Sequence, residues 1–590
     1  MSLLSRRLGT AGIAGVLLVG VAATPSTAAP SAGRPAAAAT AATFDTTTAK
    51  ERQRVDSIEA PKLGWYKCFD IAECATTRLP LDYDKPHGAT TEIAVLRVKA
   101  KDQQHKIGTL FVNPGGPGGS GTDIALAAPG FLSESILKRF DVVGIDPRGI
   151  AASENVHCFP SVREQTKVLA DMNVAFPWGK AQEKKYVKAA KKFGQACSTT
   201  GKPLTGAMST AEVVRDMEVL RRSVGDTKLN YLGFSYGTAI GQYYANMFPE
   251  RFRAIVVDGV LDPQHWVGTQ QTADQEQDQR LQSAEGAYRA LKEILKRCDR
   301  AGKRYCVFSA GDPVKRFETI AKKLRQKPLV VSEGGESYTV TYADFIGGVL
   351  GSLYSPFAGD SVTYTAEDIW TTLNPPSPAA AAKARTTLIQ RIKDARSKPS
   401  RDFPYNNGFE TFAGVDCTDG LHPKDADKWP AMMEKADKRA PYFGRAWGWG
   451  TAQCARNTWT VHDEDAYTGP WTRRTAAPVL IVGTKWDPAT NYDDAVSAAR
   501  RLPNSRLLSN TNWGHTSYGT SKCATGAIDA YLLNGTLPAT GTVCEGEYQP
   551  FKEPLPTNDE TRSSLRANTA AQGRPPVATP LPPSVLNGNR

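Results

Sequence analysis

A chain of 590 residues, 41% hydrophobic and 22% charged, can bury a large core, so the bulk of it is expected to fold rather than remain disordered. Its net charge of +12 raises the question of an acidic partner. Lys and Arg are nevertheless scattered, with short runs such as Lys184-Lys185 and Lys191-Lys192, and no basic stretch is interleaved with aromatics, so no nucleic-acid partner is expected.

Along the chain, Arg6 and Arg7 precede an apolar run at 13–21 and the small residues Thr27-Ala28-Ala29, the pattern of an export signal. The run is shorter than the roughly 20 residues a spanning helix needs, which predicts a secreted, extracellular protein without stable membrane insertion. Residues 1–43 therefore read as signal peptide and low-complexity pro-segment, and 556–590 as a disordered tail on its proline-rich composition. Ten cysteines suit an oxidising compartment. They fall into neighbouring couples, Cys68 with Cys74, Cys158 with Cys197, Cys298 with Cys306, Cys417 with Cys454 and Cys523 with Cys544, although spacing leaves the connectivity open. None has the CxxC spacing of a zinc site, and no metal is expected.

Short apolar runs at 93–98, 109–113, 142–146, 229–233, 254–258 and 479–483 alternate with helix-compatible stretches. That alternation predicts an α/β fold with a mostly parallel central sheet. The last run follows the others by some 200 residues of mainly helical composition, including 279–297. The expected organisation is a core in two parts, 44–262 and 471–555, interrupted by a large, mainly helical cap at 263–470 over the active site.

Gly233-Phe234-Ser235-Tyr236-Gly237 joins the run at 229–232 to a helix-compatible stretch at 238–247. A G-x-S-x-G sequence between strand and helix permits a strained turn that presents a nucleophilic serine. Asn113-Pro114-Gly115-Gly116-Pro117-Gly118-Gly119-Ser120-Gly121 follows another strand and can bring bare N–H groups to a substrate oxygen. Removing one such donor typically costs ~2.7–4 kcal/mol of transition-state stabilisation. The phosphate-cradling patterns GxxxxGK[ST] and GxGxxG are absent, so the expected role is an oxyanion hole, with donors from Gly116 and Tyr236.

A serine nucleophile needs a base and an orienting acid, which in this setting follow in the order Ser, Asp, His. Asp487 stands directly after the strand at 479–483, and His515 lies in the polar Trp513-Gly514-His515-Thr516 loop. His87, His105 and His157 precede the serine, while His265, His422 and His462 lack a strand-end context. Asp146 and Arg148, flanking Pro147, are expected to pair and fix a loop.

The GGPGGSG loop, Asp146-Pro147-Arg148-Gly149, GFSYG, the 256–263 segment VVDGVLDP, GTKWDP and WGH together resemble the secreted actinobacterial tripeptidyl aminopeptidases, relatives of the proline iminopeptidases. The resemblance spans roughly residues 60 to 550. It implies an α/β-hydrolase fold, the triad Ser235, Asp487 and His515, oxyanion donors at Gly116 and Tyr236, peptide substrates, and no metal or organic cofactor. Proline iminopeptidases begin the glycine loop with HGGPG, and here Pro114 replaces that histidine, which favours the tripeptidyl branch. An aminopeptidase must also hold a free ammonium, which calls for a carboxylate in a partly dehydrated pocket. Asp419 is the candidate, with Trp447, Trp449 and Trp459 as possible pocket walls. A secreted esterase or lipase on the same triad, or a proline iminopeptidase-like aminopeptidase, is the alternative, ahead of a non-enzymatic envelope-binding protein.

Overall fold

The computed structural model describes residues 43–396 and 405–555. The expected export signal, all but the last residue of the low-complexity segment, and the tail lie outside these residues. The described residues form twelve strands: β1 (Tyr66–Cys68), β2 (Ala72–Pro80), β3 (Thr90–Val98), β4 (Gly108–Asn113), β5 (Phe140–Ile145), β6 (Leu229–Phe234), β7 (Phe252–Asp258), β8 (Leu329–Glu333), β9 (Glu336–Val340), β10 (Val479–Trp486), β11 (Ser505–Trp513) and β12 (Val543–Cys544). Ten of them make one sheet in the order β1-β2-β3-β5-β4-β6-β7-β10-β11-β12, and β8 and β9 form a separate hairpin. From β5 through β12 every neighbouring pair is parallel, while β1, β2 and β3 add on antiparallel. The mostly parallel sheet expected from the alternating pattern is thus present.

Burial explains why the inner strands were readable. All six residues of β4 and of β6 are buried, and a strand covered on both faces reads as a continuous apolar run. Successive side chains then divide between two cores. Leu110, Val112, Leu232, Val256 and Val482 pack on one face with the helix Lys522–Asn534. Phe111, Tyr231, Ile255, Val257 and Ile481 pack on the other with the helices Thr210–Ser223 and Gly237–Met247.

Between β7 and β10 the chain is mainly helical, including Ser283–Ala301, Pro313–Gln326, Tyr342–Leu353, Ala358–Leu373 and Gly408–Asp419. This insertion touches the core closely. A Cβ placed on Gly286 would lie 3.1 Å from the main-chain oxygen of Asp487, so the helix Ser283–Ala301 rests directly on the loop after β10. All five cysteine couples are bonded as disulfides. No helix among the described residues is long and apolar enough to cross a membrane.

Several acids are largely or wholly withdrawn from water. Burial pushes the carboxyl of Asp360 up to about 6, and those of Glu410, Asp416 and Asp494 up to about 7. A carboxyl whose folded pKa exceeds its unfolded value stabilises the fold fully at low pH, and that contribution is lost as pH rises through the folded pKa. His422 opposes this, because burial lowers its pKa to about 3 and its unfolded imidazole takes up a proton below about 6.5. Four acids outweigh one histidine. Thermal unfolding is therefore expected to occur at a lower temperature at pH 8 than at pH 5, checked by calorimetric scans across that range.

Candidate functional site

Strand β6 delivers Ser235 at φ +56°, a left-handed conformation that side chains other than glycine rarely adopt. The chain has no slack there. A Cβ on Gly233 would sit 2.3 Å from the oxygen of Gly237, so the turn closes only with glycine at that position. Hydrogen bonds lock the rest: Ser235 N–H donates to Asp258 O at 3.1 Å, and Ser235 O accepts from Thr238 N–H at 2.8 Å and from its hydroxyl at 2.6 Å. Ser235, about 9% exposed, opens onto a pocket of about 860 Å³ including its mouth.

Asp487 follows the end of β10, and His515 follows the end of β11. His515 Nδ1 donates to Asp487, 2.8 Å from Oδ2 and 3.0 Å from Oδ1. The carboxylate also accepts from Ala489 N–H at 2.8 Å, from Thr490 N–H and hydroxyl at 2.9 Å each, and from Thr516 N–H at 3.4 Å. These donors fix the acid in one orientation. With Nδ1 committed, Nε2 remains as the proton acceptor of a neutral imidazole. It is buried and has no hydrogen-bond partner among the described residues, Ser235 included. Open contacts of this kind in an unliganded site commonly close only with substrate.

The insertion grips this histidine from above. His515 N–H donates to Tyr354 O at 3.0 Å, and the two rings meet edge to face at 5.2 Å. A contact between residues so far apart in sequence leaves no local signature, and the sequence reading missed Tyr354.

The glycine loop after β4 lies against the serine turn. A Cβ on Gly115 would fall 2.7 Å from Tyr236 N. Gly116 and Pro117 line the same pocket as Ser235. The loop is anchored downstream by Asp146, whose carboxylate accepts from the Ser120 hydroxyl at 2.7 Å and from Thr122 N–H and hydroxyl at 2.9 Å. Arg148 does not pair with Asp146 as expected. It donates instead to Asp216 at 2.7 and 2.9 Å and to the main-chain oxygens of Pro80, Leu81 and Ala207, so each residue fixes a different neighbour.

Asp419 stands beneath Tyr236, outside the residues that line the pocket. Its carboxylate is occupied by Thr210 N–H at 2.6 Å, by the Thr210 hydroxyl, and by the Trp266 indole N–H at 2.9 Å. The Thr210 hydroxyl in turn meets the Tyr236 hydroxyl at 2.5 Å. Held by these three donors, Asp419 buttresses Tyr236 from below. Of the three tryptophans, Trp447 lines it, whereas Trp449 and Trp459 are fully buried.

The acid that does face the pocket is Asp278. Its Oδ1 accepts Ala284 N–H at 3.2 Å, but Oδ2 is buried without a partner among the described residues. Burial, then Glu276 and Glu285 nearby, hold its carboxyl well above the usual range. Among the described residues Arg439 pairs with both glutamates, at 3.1 Å each. Two further pocket-lining acceptors, Thr451 Oγ1 and Gln453 Oε1, and one donor, Trp447 Nε1, are likewise buried and unpartnered. The sequence reading extended a helix through this segment. The chain instead breaks at Gln282, φ +57°, between the short helix Gln277–Leu281 and the helix Ser283–Ala301. The one available signal was the acidic triple Glu276, Asp278 and Glu285.

A family described as alpha/beta hydrolase fold matches residues 108–305, and one described as TAP-like protein matches residues 440–544. The chain is 29% identical to a Mycobacterium tuberculosis protein named serine protease Hip1, across 82% of this chain and 92% of that one. It is 28% identical to a tripeptidyl aminopeptidase of Streptomyces coelicolor, across 80% of this chain and 83% of that one. A M. tuberculosis protein named carboxylesterase B is 29% identical, across 82% of this chain and 91% of that one.

Proposed function

Since the chain is a serine hydrolase of the α/β-hydrolase fold and a homologue of the tripeptidyl aminopeptidases, we propose that it is a secreted exopeptidase releasing tripeptides or other short units from free N-termini. Ser235 attacks the scissile carbonyl while His515 Nε2 takes the hydroxyl proton. His515 then protonates the leaving amine, and water repeats the sequence on the acyl-enzyme. Asp487 keeps the proton of the neutral imidazole on Nδ1 and balances the imidazolium that forms. The N–H groups of Gly116 and Tyr236 receive the developing oxyanion. Secretion is supported by the export-like N-terminus and by the five disulfides.

The observation that carries the exopeptidase reading is the unpartnered Asp278 oxygen in the pocket that holds Ser235. An ammonium has three N–H donors: its charge favours the ionised form of Asp278, whose Oδ2 can then accept one, and the same pocket holds two further unpartnered acceptors, Thr451 Oγ1 and Gln453 Oε1. The arriving cation supplies the counter-charge that the buried acids lack. A chromogenic tripeptide anilide with a free amine is therefore expected to be cleaved at least 100-fold faster, in kcat/KM, than its N-acetylated counterpart. Equal turnover of the two would overturn the reading, and rapid cleavage of short-chain esters alone would favour an esterase. Asp278→Asn is expected to raise KM for the free-amine substrate by about 10- to 100-fold, because a charged hydrogen bond is lost.

A further inference from the structure

Asp258 ends β7 between β6 and β10, where it is paired with Phe234 on one side and Val482 on the other, and it is fully buried. It is linked to both reacting loops through different atoms. Its main-chain oxygen accepts Ser235 N–H at 3.1 Å. Its carboxylate accepts Ser517 N–H at 2.9 Å and Tyr518 N–H at 2.8 Å, immediately beyond His515. No arginine or lysine pairs with this carboxylate among the described residues. The two N–H groups are its only hydrogen-bond donors there, and they belong to the turn that carries the histidine.

We infer that Asp258 is a positioning residue that sets the separation between Ser235 and His515. The inference rests on the proposed roles of those two residues. Ser235 hangs from the main chain of Asp258, and the His515 loop hangs from its side chain, so one residue at a strand end fixes the register of nucleophile and base. The neighbouring element reinforces this: Gly259 N–H donates to Val482 O at 3.1 Å, and a Cβ on Gly259 would lie 3.2 Å from His515 Cε1. Sliding the histidine loop away from Asp258 would therefore move Nε2 relative to Ser235.

The test compares wild type, Asp258→Asn and Asp258→Ala for the second-order rate of fluorophosphonate labelling and for kcat and KM on a tripeptide anilide, with Ser235→Ala as control. Asp258→Asn keeps the side-chain shape and the acceptor at Oδ2 but sets an NH2 at the place of Oδ1, 3.0 Å from the Ser517 N–H donor, so it perturbs the histidine turn and remains informative if the alanine variant does not fold. The expected result for Asp258→Asn is a folded protein, judged by near-ultraviolet circular dichroism, with kcat and labelling rate both reduced about 10- to 100-fold and KM within threefold of wild type. A merely structural role would lower thermal stability and leave kcat unchanged. Labelling and kcat within twofold of wild type in Asp258→Asn would overturn the inference. Failure of wild type to label, or equal labelling of Ser235→Ala, would instead overturn the proposed role of Ser235.

Discussion

Ser235→Ala is expected to lower kcat/KM on a tripeptide anilide by about 10⁵- to 10⁶-fold, the size of effect found when a serine nucleophile acting with its base is removed. Two hydroxyls of the neighbouring loops are already engaged. Ser517 Oγ is held by Thr484 at 2.8 Å and Asn510 at 3.0 Å, and the Ser120 hydroxyl is spent on Asp146. The loss should reside in kcat, because Ser235 forms only a small part of the pocket wall. Stability offers a separate check on the same residue. Alanine inherits the strained backbone at φ +56° and should melt close to wild type, whereas Ser235→Gly relieves that strain and should be more stable than alanine by up to about 1 kcal/mol. Retention of more than about 1% of activity in Ser235→Ala would exclude this serine as nucleophile.

The serine turn was legible because two local signals coincide there: a glycine-flanked motif, and the fully buried strand β6 that leads into it. Asp487 was legible for a similar reason, since it directly follows the buried run of β10. Strands β2 and β11 were not. Much of β11 is polar, as in Ser509-Asn510-Thr511-Asn512, and its strand character comes from pairing with β10 rather than from its own composition. The surroundings of the two candidate amine-binding acids were illegible for a related reason. Asp419 is a carboxylate of the expected cap, yet the donors that bind it lie 153 and 209 positions away in sequence. Asp278 gains its exposure to the pocket from a single left-handed residue, Gln282, inside a stretch whose composition reads as one continuous helix. Local composition carries secondary structure and the reactive turn. Which buried acid keeps a free oxygen is decided only when distant segments close over it.

Asp487→Asn is expected to reduce kcat by about 10⁴-fold with KM little changed, an effect that would arise from the wrong imidazole tautomer. Asn carries one oxygen and one NH2 where Asp has two acceptors. Two main-chain donors, Ala489 N–H and Thr490 N–H, point at Oδ1 from 2.8 and 2.9 Å and cannot turn away, so the amide oxygen must take that position. The NH2 is then forced to the place of Oδ2, 2.8 Å from His515 Nδ1. A donor there requires Nδ1 to accept, which moves the imidazole proton to Nε2. An Nε2–H cannot take the serine proton, so the nucleophile stays unactivated although every heavy atom is near its original place. Steady-state kinetics at pH 7 to 8, together with an unchanged circular dichroism spectrum, would check this. A loss of only a few-fold would mean that Asp487 does not orient the base. Asp258, at the end of the adjacent strand and within electrostatic reach of His515, would then be the acid to examine, and the ratio of the two Asn variants separates the roles: Asp487 sets the tautomer, Asp258 the distance.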